Sequence, residues 1–297
     1  MGSVSTPALA VAVADAGGVG SITAQWKPAA EVDAILAGMA EQTAGVLAAN
    51  FLTGDIDPEA VAAAAARVRI VDFFWADPDP ALVDLAHRGG ALACWQVGSL
   101  DEAMAAADAG CDLLAVQGTE AGGHIRGHSA LLPLLEAVLG QVDLPVLASG
   151  GIGDGSAFGA VLAAGAAGVR AGTRFVATNE SGAHPCYKQA VADACAGSTE
   201  ITGAFAVCPL CVTEPRARVL RSCIDALRLA GETVGETTVN GQRISLPKGH
   251  GLPPGAAATG YLDAMAMYAG ESAAAIPAVE PVAEVVRSWS AAVEQPR

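Results

Sequence analysis

The stretch Pro145–Phe175, PVLASGGIGDGSAFGAVLAAGAAGVRAGTRF, decides the fold. It opens on an apolar run (145–151) and turns through glycines into an alanine-rich helical segment. It closes on AAGAAG before a second run, GVRAGTRF (168–175). Strand, helix and strand in so short a span form a βα repeat with parallel strands. The glycine after the last helical turn supplies a left-handed cap, and the next strand follows at once.

The same unit recurs toward the N-terminus. Apolar runs at 18–22, 45–52, 68–75, 91–97 and 112–118 read as strands. Helical segments such as EVDAILAGMAEQ, PEAVAAAAARV and LDEAMAAADAG separate them, and DAGG and DAGC repeat the helix-end punctuation. Strands apolar on both faces, alternating with helices, imply a parallel sheet covered by helices. Seven units favour a (β/α)8 TIM barrel over an open doubly wound sheet; an open sheet of seven parallel strands is the structural rival. Helical sequence begins by Pro7, so the barrel is expected to lack most of its first strand. The rhythm changes after Phe175. Residues 1–175 are expected to form the barrel, 176–262 a small, mostly helical insertion or lid, and 263–297 two helices returning to the outer ring.

Composition excludes several functions. Sixteen Lys and Arg stand against 31 Asp and Glu, a net charge of −15, with no basic run or stripe. Nucleic-acid binding relies on clustered cations and is not expected. The early run PALAVAVADAGGVGSI lacks a preceding positive segment and makes a poor signal peptide. No stretch has the uninterrupted apolar length of a membrane span. The seven cysteines, odd in number and irregular in spacing, read as reduced thiols of a cytoplasmic protein. Cys208 and Cys211 form one CxxC without two further ligands, so no metal is expected and the pair reads as structural or incidental.

In a parallel α/β fold ligands sit at the carboxyl ends of strands. There the sequence places Asn50, Gln96, 117–124, 149–153 and 172–174. Two adjacent glycine-rich strand ends, at Gly150–Gly151 and Gly172–Thr173, suit a phosphate. The dinucleotide pattern GxGxxG does not fit, because Ser156 stands where its last glycine belongs. His124 follows Gly122 and Gly123 directly. It reads either as a loop histidine satisfied by main chain or as an acid/base or hydrogen-bonding group beside a cofactor. The two glycines, which let a flat ring approach, favour the second. His128, four residues on, reads as a cap or an exposed residue.

STPALAVAVADAGGVGSI, VQGTEAGGHIRG, LASGGIGDGSAFGAVLAAGAAGVRAGTRFVATNESGAHPCYK and the late MYAGES together resemble the nitronate monooxygenase family, formerly 2-nitropropane dioxygenases. The resemblance runs over nearly the whole chain and is strongest from Asp112 to Lys188. It implies an FMN-dependent TIM barrel that oxidises alkyl nitronates, and neutral nitroalkanes, with O2 to a carbonyl compound and nitrite. It implies His124 as the catalytic residue and Asn50, Gln117 and Gly122 as flavin contacts. Gly151 and the run Arg170, Ala171, Gly172 and Thr173 would hold the phosphate. The family's opening strand, of the type ending QAPM, is here reduced to MGSVS, and Arg170 stands where glutamine is common. Barrels of this kind also include NAD(P)H-dependent reductases of quinones or enoyl thioesters, which is the alternative enzyme reading. A non-catalytic phosphate-ligand-binding protein is the alternative from another class.

Overall fold

The computed structural model describes residues 4–52, 54–208, 215–239 and 241–294. Helix α1 (Pro7–Asp15) starts on Thr6, whose hydroxyl accepts from Leu9 N, with Pro7 in the first turn where no N–H is needed. Strand and helix then alternate: β1 (Val19–Thr23), α2 (Ala29–Ala40), β2 (Val46–Leu52), α3 (Pro58–Ala65), β3 (Ile70–Phe74) and α4 (Pro80–Arg88). β4 (Leu92–Val97), α5 (Leu100–Asp108) and β5 (Leu113–Gln117) follow, then a two-residue strand β6 (Gly123–His124) and α6 (Leu131–Leu139). β7 (Val146–Ser149), α7 (Gly155–Ala163) and β8 (Gly168–Arg170) complete the series. Side chains of Asp57, Asp79, Ser99 and Asp154 cap α3, α4, α5 and α7.

One parallel sheet runs β1-β2-β3-β4-β5-β7-β8. The order never reverses, unlike that of a doubly wound sheet, so it curls as the wall of a barrel. Alternation along each strand separates two faces. Val71, Phe73, Trp95, Leu114, Val116 and Val146 face the helices in the main core. Cys94, Leu113 and Ala115 face the lumen, packed with Ile70, Leu92 and Leu147. The strand that would close the circle is missing among the described residues: β1 and β8 each pair on one side only. The reading of a barrel without its first strand agrees with this seven-stranded wall.

The helical layer does close. Helix α11 (Val282–Glu294) packs between α7 and α1. Gly155 makes the approach possible, because a β-carbon there would stand 2.6 Å from Ala292 Cβ. Trp289 stacks on Phe158 at 5.6 Å. Buried Arg174 fastens the chain entering α11 by donating to the carbonyls of Ala177 and Ala278 and pairing with Glu280.

Beyond β8 two expectations need correction. The region 176–262 is not mostly helical. It follows the one-turn helix α8 (Thr173–Val176) and holds α9 (Pro185–Ala192) and α10 (Arg221–Leu229). It also holds five strands: β9 (Thr199–Thr202), β10 (Ala217–Leu220), β11 (Thr233–Val239), β12 (Gln242–Pro247) and β13 (Thr259–Gly260). They form two antiparallel sheets, β6-β10-β9 and β12-β11-β13. The expected helix DAMAMYAGESAAAI instead contains two 3-10 turns, Leu262–Ala264 and Glu271–Ala275. Its alanines favour helix, but the Tyr268 carbonyl accepts from Tyr187 and the Gly270 N–H donates to Thr173, so tertiary bonds override propensity. Tyr187 is 1% exposed and sits in the second core.

Candidate active site

The carboxyl ends of the strands gather Asn50, Trp75, Gln96, Gln117, Ser149 and Arg170 at one rim. His124 is held above it by strand pairing. β6 is a short edge added to the antiparallel sheet, with His124 opposite Ala217 and Gly123 opposite Arg218. Ile125 N donates to Arg216 O at 3.0 Å. Gln117 secures the same loop from below: its Nε2 donates to His124 O at 2.9 Å and its Oε1 accepts from Arg126 N at 3.2 Å. Both ends of the Gln117 amide are thus committed to positioning the histidine loop. Arg126 extends the anchorage to Glu102 in the first turn of α5 and to Asp77 in the loop before α4.

Around the His124 ring stand groups to which the sequence reading gave no role in the site. Trp75 meets it edge-on at 5.6 Å, and Tyr268 lies at 5.5 Å. Cys208 Sγ is 3.5 Å from Nε2; Cys211, its CxxC partner in sequence, lies outside the described residues. Trp75 has φ +78, a left-handed conformation that a bulky side chain adopts only under constraint. Its signal in the sequence is its position directly after the run VDFF. Tyr268 comes from MYAGES and is fixed by its own hydroxyl, which donates to Gly251 O at 2.7 Å.

Burial lowers the His124 pKa to about 4. The imidazole is therefore neutral at physiological pH, able to accept a proton or share one. An unfolded histidine protonates near pH 6.5. Between that value and about 4 the unfolded chain holds the extra proton, so the stabilisation is complete above about pH 6.5 and is lost as pH falls toward 4. The drop in urea midpoint between about pH 8 and about pH 5 is expected to shrink in His124→Gln. An identical drop in both proteins refutes a neutral buried imidazole.

The two glycine turns lie side by side, since β7 and β8 are neighbours with Ser149 opposite Arg170. Gly150 and Gly151 have φ of +113 and +72, which their lack of a side chain permits. Among the described residues, the main-chain N–H groups of Gly150, Gly151, Gly172 and Thr173 donate no hydrogen bond. They are a cluster of donors suited to an anion. Helix α7, read from sequence as a further donor, is capped by Asp154, whose carboxylate accepts from Ala157 N at 2.8 Å. The Thr173 hydroxyl is engaged by Gly270, and Ala171 packs toward the outer core, so this run offers main chain rather than side chains. The Arg170 side chain turns into the lumen and meets Asp72 Oδ1 at 2.6 Å. Asn50 donates to the other oxygen of the same carboxylate at 2.5 Å.

Gly122 serves a close approach of protein rather than leaving an open face. A β-carbon there would stand 2.5 Å from Gly270 N and 2.7 Å from Ala269 C. Of the remaining histidines, His128 is exposed and contacts Arg216, and His87 pairs with Asp112 at the end of α4. Among the described residues no group of acidic, cysteine and histidine side chains could hold a metal, and no helix is long and apolar enough to cross a membrane.

Residues 26–291 match the nitronate monooxygenase family. A (3aS,4S,5R,7aS)-5-hydroxy-7a-methyl-1-oxo-octahydro-1H-indene-4-carboxyl-CoA dehydrogenase of Rhodococcus jostii is 35% identical over 183 residues, 61% of this chain and 51% of its own. Nitronate monooxygenase npaC of Metarhizium robertsii is 34% identical over 218 residues, 65% of this chain and 61% of its own. Both matches thus span less than two thirds of the relative's length. The structure of a nitroalkane oxidase from Streptomyces ansochromogenes superposes with a TM-score of 0.75 at 28% identity, covering 98% of this chain and 93% of that one.

Proposed function

Because the chain belongs to the nitronate monooxygenase family, we propose that it binds FMN at the strand ends and uses O2 to oxidise alkyl nitronates, and neutral nitroalkanes after deprotonation, to a carbonyl compound and nitrite. The observation that carries this reading is a neutral histidine above a rim that also holds four main-chain donors without partners among the described residues. The residues fit the cofactor. Gly150, Gly151, Gly172 and Thr173 suit its phosphate, and the amides of Asn50 and Gln96 stand at strand ends where a polar ring edge would lie. When bound, FMN supplies the electron-transfer chemistry that links substrate oxidation to O2.

The protein supplies position and charge. Trp75 and Tyr268 wall the space beside His124 and limit water there. With a neutral nitroalkane, His124 Nε2 takes the proton from the carbon bearing the nitro group, and the bonding pair moves onto the nitro oxygens. The anion then faces an imidazolium, an attraction strengthened by the same burial that keeps the resting ring neutral. With a preformed nitronate, His124 contributes a hydrogen bond and orientation alone.

Titration with FMN and riboflavin, followed by quenching of flavin fluorescence, tests the phosphate assignment. FMN is expected to bind at least about 100-fold more tightly, the effect of two hydrogen bonds to a charged group. Equal affinities sink the assignment. Nitrite release from ethylnitronate tests the reaction. The Rhodococcus relative, a dehydrogenase of a CoA thioester, supports the reductase reading instead; NADH oxidation with an enoyl thioester and no nitrite from nitronates decides for it.

A further inference from the structure

Asn50 belongs to a polar cluster in the lumen whose other members have no part in the chemistry above. Asp72 lies on β3 between the helix-facing Val71 and Phe73, points inward and is 4% exposed. Its Oδ2 accepts from Asn50 Nδ2 at 2.5 Å, and its main-chain carbonyl accepts from the same nitrogen at 3.3 Å. Its Oδ1 receives Arg170 Nη1 at 2.6 Å. β3 and β8 are not neighbours; β4, β5 and β7 stand between them, so the Arg170 side chain crosses the lumen. Beside the cluster, burial and then the Asp72 charge push the Cys94 thiol up, which keeps it protonated.

Donor chemistry fixes the geometry. An ionised carboxylate only accepts, so it sets which end of the Asn50 amide faces it. With Nδ2 turned to Asp72, Oδ1 turns away, and no described residue donates to it. No side-chain oxygen or nitrogen among the described residues is both buried and unpartnered, so this oxygen faces open space. Arg170 engages Asp72 through one guanidinium nitrogen and has donors to spare.

We infer that Asp72 is a positioning residue for the cofactor: it locks Asn50 with its amide oxygen outward and holds the Arg170 guanidinium across the lumen, so that β2 and β8 present an acceptor and a cationic donor to the imide edge of a flavin ring. When flavin is bound, Asn50 Oδ1 would accept from the ring N–H and Arg170 would donate to a flanking carbonyl. This rests on the flavin reading above. A role confined to neutralising Arg170 makes a different forecast.

The test uses Asp72→Asn and the double variant Asp72→Asn/Arg170→Gln, each titrated with FMN. In Asp72→Asn an amide that can accept or donate replaces the acceptor-only carboxylate, so the Asn50 amide is no longer held in one orientation, and FMN affinity is expected to fall about tenfold, the effect of one hydrogen bond. The visible absorption band of bound FMN is expected to shift, and its midpoint potential to rise, because the Arg170 charge is no longer balanced. The double variant removes both charges. It is expected to recover the thermal midpoint and potential of the parent while FMN affinity stays low. Parental affinity and band position in either folded variant overturn the inference, and the double variant supplies that outcome even if the single one does not fold. A parent that binds no flavin overturns the flavin reading and this inference with it. A parent that binds FMN, with variants that bind it identically, overturns the inference alone.

Discussion

His124→Ala is expected to retain FMN while turnover of neutral nitroalkanes falls by about 10²–10⁴-fold, the range for loss of a general base. The loop survives the change because its anchors are main chain. His124 O accepts from Gln117, the β6 ladder runs through backbone, and Ile125 N reaches Arg216 O. What is lost is the one neutral, proton-accepting ring that the strand ends hold above the rim. Preformed nitronates need no deprotonation, so their turnover should fall by only about tenfold, the effect of one lost hydrogen bond. The ratio of the two losses is therefore the informative quantity. Initial rates of nitrite release from nitroethane and ethylnitronate measure it, with the flavin spectrum as a control for occupancy. Equal losses on both substrates rule out proton abstraction by His124, and unchanged rates on both remove it from the chemistry altogether.

Gly122→Ala should damage both stability and turnover although it adds one methyl group. That methyl would lie 2.5 Å from Gly270 N and 2.7 Å from Ala269 C. These are main-chain atoms that cannot swing aside. Gly270 is also tied to Thr173, and Glu271 N to Glu120 O. A shift of Gly270 therefore moves the Thr173 turn, while a shift of Gly122 moves His124. Overpacking of this kind costs about 1–3 kcal/mol, or roughly 2–4 °C of thermal midpoint for each kcal/mol in a domain of comparable size. Turnover should drop by at least about tenfold, since small misplacement of a catalytic group costs that much or more. Gly123→Ala is the control: a β-carbon there meets nothing within 4 Å, and the cost is the φ of +82 alone. A Gly122→Ala protein with parental midpoint and rate contradicts the close approach seen here.

The barrel wall was legible because each strand is a short apolar run bounded by glycine or a helix cap, and each of the seven runs holds a strand. Boundaries failed where main-chain geometry intervened. GVRAGTRF reads as one strand to Phe175, but the ladder ends at Arg170 and α8 begins at Thr173. In the inserted region TTVNGQRIS carries an Asn-Gly pair between alternating residues, a hairpin signal, and β11 and β12 do pair across it. The alanine and leucine content elsewhere drew the reading toward helix. His124 was visible beside its glycines, whereas its strand pairing with Ala217 was not, because β6 is two residues long and its partner lies far along the chain. Asp72 and Arg170 could have been found as opposite charges inside two otherwise apolar runs, VDFF and GVRAG. Which charges meet across a lumen depends on strand order, which no local pattern records.

The open wall inside a closed layer of helices also has a mechanical meaning. A fully hydrogen-bonded barrel is a hoop, with tension shared around its circumference. Among the described residues β1 and β8 are not paired with each other, so the ends of the wall are joined through the outer layer. α11 bridges α7 and α1 there as a clasp, seated by Trp289 and the notch at Gly155. The spacing of the seven strand ends, and with it the span that Arg170 must cross to reach Asp72, is thus set in part by a helix that touches neither residue.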